Sequence, residues 1–185
     1  MNRWHLQQAL KVIRTGGVIA YPTEAVFGLG CLPENYIAVK RILDLKNRSS
    51  RKGLIIIAAA IEQLRPYITF MDLSRSQQIR NTWPGPVTWI VPARPGVPDW
   101  LRGEHESIAV RVSNHPVVRD LCRLTGPLVS TSANPAGCQP AKTALKVRIY
   151  FGRSLDYILP GNIGLYQKPT EIRNALTGEI VRPGA

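Results

Sequence analysis

The chain has 185 residues, 24 of them Lys or Arg and 12 Asp or Glu, which gives a net charge of +12 and a pI near 10.2. With 44% hydrophobic and 19% charged residues, it fits one soluble domain with a real core and excludes a low-complexity chain. No apolar run reaches the ~20 residues that cross a bilayer, and M-N-R-W-H-L-Q-Q-A-L at the start lacks the apolar segment of a signal peptide. A single domain over residues 1–185, cytoplasmic and away from membranes, is the expectation.

Residues 2–15 read as an amphipathic helix, with Leu6, Leu10 and Ile13 on one face and Gly16-Gly17 as the stop. V-I-A-Y (18–21) is a short buried strand ending at Pro22. A helix over 35–46 turns Ile37, Ala38, Ile42 and Leu45 inward. L-I-I-I-A (54–58) is apolar on both faces, the mark of a central strand covered by helices. Ser74 caps a helix over 74–82, which W-P-G-P at 83–86 breaks. V-T-W-I-V (87–91) is a strand, 92–106 a long loop, and I-A-V-R-V (108–112) a further strand. A helix starts near Pro116, L-V-S-T forms a strand, and Thr143 caps a helix to about residue 151. E-I-R-N-A-L-T-G-E-I-V-R closes the chain as a hairpin around Thr177-Gly178. Strands and helices alternate without βαβ regularity, so the fold class is α/β (α+β): a twisted mixed parallel and antiparallel sheet flanked by helices.

Cys31, Cys122 and Cys138 are odd in number and form no C-x-x-C pair, which argues against a disulfide framework or structural zinc. No base singles one out as a nucleophile. The positive charge suits a polyanion, be it nucleic acid, nucleotide or anionic surface, or else serves solubility.

Four stretches carry possible chemistry. In Y-P-T-E-A-V-F-G-L-G (21–30), Thr23 and Glu24 sit where a strand opens into a loop, and Gly28 and Gly30 allow close backbone approach. A substrate contact and a Pro-initiated turn both fit. Six bases lie between Lys40 and Lys52 against one acid, Asp44. Lys46, Arg48, Arg51 and Lys52 follow a helix and precede the central strand, where a loop can hold several cations over a triphosphate. No P-loop motif accompanies them. Arg111, between Val110 and Val112, is either an edge charge or a fork for a carboxylate. In G-P-L-V-S-T-S-A-N-P-A-G (126–137), Ser130, Thr131, Ser132 and Asn134 lack the flanking glycines of a nucleophile elbow. Hydroxyls, an amide and backbone N–H groups after a strand suit phosphate or ribose, with turn chemistry a partial account.

Taken in order, Y-P-T-E, Lys46-Asn47-Arg48, W-P-G-P-V-T, A-V-R-V, S-T-S-A-N, P-T-E-I and the terminal V-R-P-G resemble the YrdC/Sua5 family, in its single-domain threonylcarbamoyl-AMP synthase branch, from about residue 10 onward. The resemblance implies a sheet with a basic concave cavity. It also implies a reaction in which L-threonine, bicarbonate (or CO2) and ATP give threonylcarbamoyl-adenylate and diphosphate. Partner proteins, a downstream threonylcarbamoyl-transferase complex, then carry the group to ANN-decoding tRNAs. By the same resemblance Lys46 and Arg48 are the catalytic cations and hold the ATP phosphates, with Lys52 beside them. Ser130, Ser132, Asn134 and Arg182 complete the nucleotide site, and Thr23, Arg111 and Thr170 meet the threonine. Mg²⁺ travels with ATP, and no protein metal site is implied. P-T-E-I departs from the common P-S-T-I, which leaves Glu171 without a role, and the chain ends at the core domain. The alternative is a tRNA- or double-stranded-RNA-binding module without catalysis; no RRM, KH or zinc signature supports it as the sole role.

Overall fold

The structure is a computed structural model that describes residues 2–69, 73–166 and 169–184, with the backbone alone for 73–76. Asn2 caps the first helix, α1 (Arg3–Arg14), through its side chain. There follow β1 (Ile19–Pro22), β2 (Phe27–Gly30), α2 (Tyr36–Lys46), β3 (Ile55–Ala58), α3 (Leu73–Thr82), β4 (Thr88–Pro92), α4 (Asp99–Arg102), β5 (Ser107–Val112) and α5 (Pro116–Thr125). The chain continues with β6 (Leu128–Ser132), α6 (Ala144–Phe151), β7 (Tyr157–Ile158), β8 (Ile172–Asn174) and β9 (Ile180–Arg182). The strands form one nine-stranded mixed sheet in the order β7-β1-β2-β6-β3-β5-β4-β8-β9. β3 is parallel to β5 and antiparallel to β6, so the apolar run 54–58 is the central strand its composition predicts.

Side-chain alternation divides the core between the two faces. Ile56 and Ala58 join Ala20, Leu29, Val110, Trp89 and Val129 under α2 and α6, which contribute Val39, Ile42, Val147 and Phe151. Ile57 joins Ile19, Tyr21 and Leu128 on the opposite face, under Leu10 and Ile13 of α1 and Val118 and Leu121 of α5. These two helices cover only part of that face. Farther along it, Ile55 stands beside Ser130 and Ala109, and Ala109 beside Ile90; no helix among the described residues covers this row, and it floors the cavity described below.

Several expectations are corrected. Ile37 is 79% exposed: it lies off the stripe of Ala38, Val39, Ile42 and Leu43 that faces the sheet. Residues 21–30 are a hairpin, since β2 pairs antiparallel with β1. Gly30 permits it, because a Cβ there would lie 2.7 Å from the Tyr21 ring and 2.6 Å from the Val129 carbonyl. The 92–106 loop contains α4, and β7 is an added edge strand too short to leave a periodic signal. The cap at Thr143 and the terminal hairpin stand as expected. Capping by Ser74 concerns a side chain outside the described residues.

Candidate functional site

A cavity of about 470 Å³ lies over the uncovered end of the sheet, floored by Ile55, Ile90, Ala109 and Ile172. Arg48, Lys52, Arg102, Arg111 and Arg182 line it, with Thr23, Ser130, Thr131, Ser132, Thr170 and His105. Among the described residues no Asp or Glu does. Its size suits a small-molecule ligand, and five lining cations, of which Arg102 and Arg111 also pair with carboxylates outside the lining, favour an anion.

The basic segment reaches the cavity through a turn at the end of α2. Asn47 adopts the left-handed conformation (φ 49°) that ends the helix, and this parts the side chains of its two neighbours. Lys46 turns back and is 5% exposed. Its Nζ donates to the carbonyl oxygens of Ser132 and of Asn134, the latter at 2.7 Å. Burial, with Arg48 alongside, pushes its pKa down to about 8. Arg48 points to the cavity and donates from Nη2 to the Gly53 carbonyl at 2.9 Å. Its Nε has no acceptor among the described residues. Arg51 lies apart, in an exposed ion pair with Glu104 at 2.7 Å.

Arg111 sits inside the sheet between β3 and β4 and is 5% exposed, so it is not an edge charge. Its Nη1 donates to Thr170 Oγ1 at 2.6 Å, and its Nη2 is 3.4 Å from Glu24 Oε2. The Thr170 carbonyl accepts from Arg182 Nε at 3.2 Å and Nη2 at 2.7 Å. Thr23 Oγ1 donates to the Val26 carbonyl at 2.7 Å within the β1–β2 turn. Burial pulls the Glu24 pKa up, but Arg111 and the Ser113 hydroxyl outweigh it and hold the carboxyl below its ordinary value. Thus Arg111, Thr170 and Arg182, far apart in the chain, are joined by hydrogen bonds, and Thr23 lines the same cavity.

On β6, Ser130, Thr131 and Ser132 line the cavity. Asn134 does not: its Nδ2 donates to the carbonyls of Pro135 and Cys138, closing a local turn. Lys46 and Asn134 therefore shape the cavity wall from behind. Arg102 and His105 also line the cavity, in places that depend on α4. Arg102 donates to the Val97 and His105 carbonyls and pairs with Asp99; a W-L-R in a Pro-rich loop gives no signal of this. Glu171 pairs with Arg173.

A family model, Sua5_yciO_yrdC, described as telomere recombination, matches residues 11–184. The chain belongs to the Sua5/YciO/YrdC family. It is 54% identical over 180 residues, 97% of each chain, to the threonylcarbamoyl-AMP synthase of Nitrosococcus oceani. P. abyssi Sua5 complexed with L-threonine superposes with a TM-score of 0.92 at 29% identity, over 100% of this chain and 55% of that longer one. E. coli YciO superposes with a TM-score of 0.87 at 27% identity, over 100% of this chain and 91% of that one. The mixed sheet flanked by helices is the family's fold.

Proposed function

We propose that this chain is a threonylcarbamoyl-AMP synthase, an enzyme that joins L-threonine, bicarbonate and ATP into threonylcarbamoyl-adenylate, with release of diphosphate and water. One observation carries the reading: a cationic cavity without a lining carboxylate among the described residues, between Thr23, Arg111, Thr170 and Arg182 on one side and the hydroxyls of β6 on the other, in a chain 54% identical to such a synthase. The threonine amine adds to the carbon of CO2 derived from bicarbonate. An oxygen of the carbamate attacks the α-phosphorus, and the bond to the diphosphate breaks. Both partners are anions, so the work of the protein is positioning and charge neutralisation.

In this reading Arg111 and Thr170, with Thr23, take the threonine. Arg48, Lys52 and Arg182 neutralise the phosphates, while Ser130 and Ser132 orient the nucleotide. Lys46 and Asn134 hold the β6 loop in register, and Lys46 adds its charge from behind. Mg²⁺ would enter as part of MgATP and help to neutralise the phosphates; with no carboxylate lining the cavity among the described residues, the protein would hold it through the nucleotide. The product is a mixed anhydride that a threonylcarbamoyl transferase must consume. Its delivery to tRNA, and a cytoplasmic location, belong to the same proposal. No helix among the described residues is long and apolar enough to cross a membrane.

Release of diphosphate from ATP should require both threonine and bicarbonate, and mass spectrometry should find the adenylate. Lys46→Ala and Arg48→Ala, shown to be folded, should each lower kcat/KM by about 100-fold or more. Full activity in both variants would overturn the assignment.

A further inference from the structure

Glu24 lies between two lining residues, Thr23 and Ala25, but does not itself line the cavity. Glu24 is 4% exposed and is the only carboxylate paired with Arg111 among the described residues. Its Oε1 accepts from Ser113 Oγ at 2.6 Å, and that same oxygen of Ser113 accepts from the backbone N–H of His115 at 3.1 Å. With its hydroxyl proton and a lone pair both engaged, Ser113 has one orientation, and it fixes one for the carboxylate. The second carboxylate oxygen lies 3.4 Å from Nη2 of Arg111, an ion pair without a hydrogen bond, while Nη1 donates to Thr170.

The backbone of the same turn holds the segment that crosses from β7 to β8. Thr23 O accepts from Gly164 N at 2.9 Å, and Glu24 O accepts from Tyr166 N at 3.3 Å. The approach is close enough that a Cβ on Gly164 would lie 2.5 Å from Glu24 O. Glu24 therefore joins the segment after β5, the strand that carries Arg111, and the crossover that ends in Thr170.

A guanidinium buried to this degree is costly to leave uncompensated, and an Arg fork recognises a carboxylate only when its plane is fixed. We infer that Glu24, oriented by Ser113, is a positioning residue for the threonine site: it neutralises Arg111 while the cavity is empty and sets the plane in which the fork meets the carboxylate of the amino acid. The inference rests on the synthase reading and adds to it a pair of residues that act through Arg111 without meeting substrate. Gln at position 24 preserves shape but not function. Its one oxygen can serve Ser113 or Arg111, while its amide presents a donor to the other.

Steady-state kinetics and calorimetric threonine binding on the full chain test this. Glu24→Gln should raise the KM and Kd for threonine about 10-fold or more, and Ser113→Ala about threefold, with the KM for ATP within about twofold in both. A selective threonine defect of that kind is not what general destabilisation produces. An unchanged threonine KM in both variants, or equal rises for threonine and ATP, would overturn the inference. If Glu24→Gln does not fold, Ser113→Ala decides alone: a selective defect supports the inference and a wild-type threonine KM overturns it. Wild-type protein that forms no adenylate would overturn the synthase reading, and the inference with it.

Discussion

Lys46 brings a charge to a place that solvent barely reaches, and its ammonium persists there because two backbone carbonyls accept from it. With its pKa near 8, Lys46 is partly neutral in mildly alkaline solution. A triphosphate in the adjacent cavity would favour the charged form and raise that pKa. ATP binding at pH 8 should therefore take up protons, measured by calorimetry in two buffers of different ionisation enthalpy. Lys46→Met should abolish the uptake; proton release by the wild type would contradict the argument. Glu24 makes the opposite linkage. Its pKa is lowered in the folded state, so its stabilising contribution is present above the unfolded value of about 4.3 and is lost as pH falls through the folded value. Glu24→Gln should thus be less stable at neutral pH and show a shallower acid limb in denaturant titrations. An acid limb as steep as the wild type's would count against the ion pair.

At the level of elements, the site exists because α1 and α5 cover only part of one sheet face. The row through Ile55, Ala109 and Ile90 is left uncovered and floors the cavity, while Ile57 and Leu128, farther along the same face, are fully buried. The opposite face is covered by α2 and α6. Ile56 on that covered side is 0% exposed in the central strand, so Ile56→Ala should cost about 2–5 kcal/mol. Ile37→Ala, on the outward side of α2, should change stability by no more than about 0.5 kcal/mol. Urea titrations compare the two, and equal losses would contradict the assignment of faces.

Over the whole molecule, a net charge of +12 acts beyond the cavity. It favours approach of ATP and of other polyanions. If tRNA binds through this charge, its affinity should fall steeply between about 50 and 200 mM salt, with a linear log–log slope in a filter-binding assay. Affinity independent of salt would exclude that mode. The RNA-binding module of the alternative reading would bind in the same way but leave ATP intact, so diphosphate release separates the two.

The sequence by itself determined the central strand, the first and sixth helices and the terminal hairpin. Each rests on local signals: an apolar run, a cap three residues before the N–H that donates to it, a Thr-Gly turn. It also singled out Arg111, because a lone guanidinium in an apolar strand is conspicuous wherever the strand lies. Which of two readings applied to Arg111 was a matter of strand order, since only pairing with β3 and β4 makes it interior. The same holds for the cavity. Lys46 and Arg48 are adjacent to one residue, Asn47, yet its left-handed turn sends one behind the wall and the other into it. Arg102 gave no signal because a Pro-rich loop has no periodicity, and Glu24 stayed open between a substrate contact and a turn because its partners Ser113 and Arg111 are nearly ninety positions away. Local patterns fix elements within a few residues; charges that cancel or converge across the fold become apparent only when the chain has brought them together.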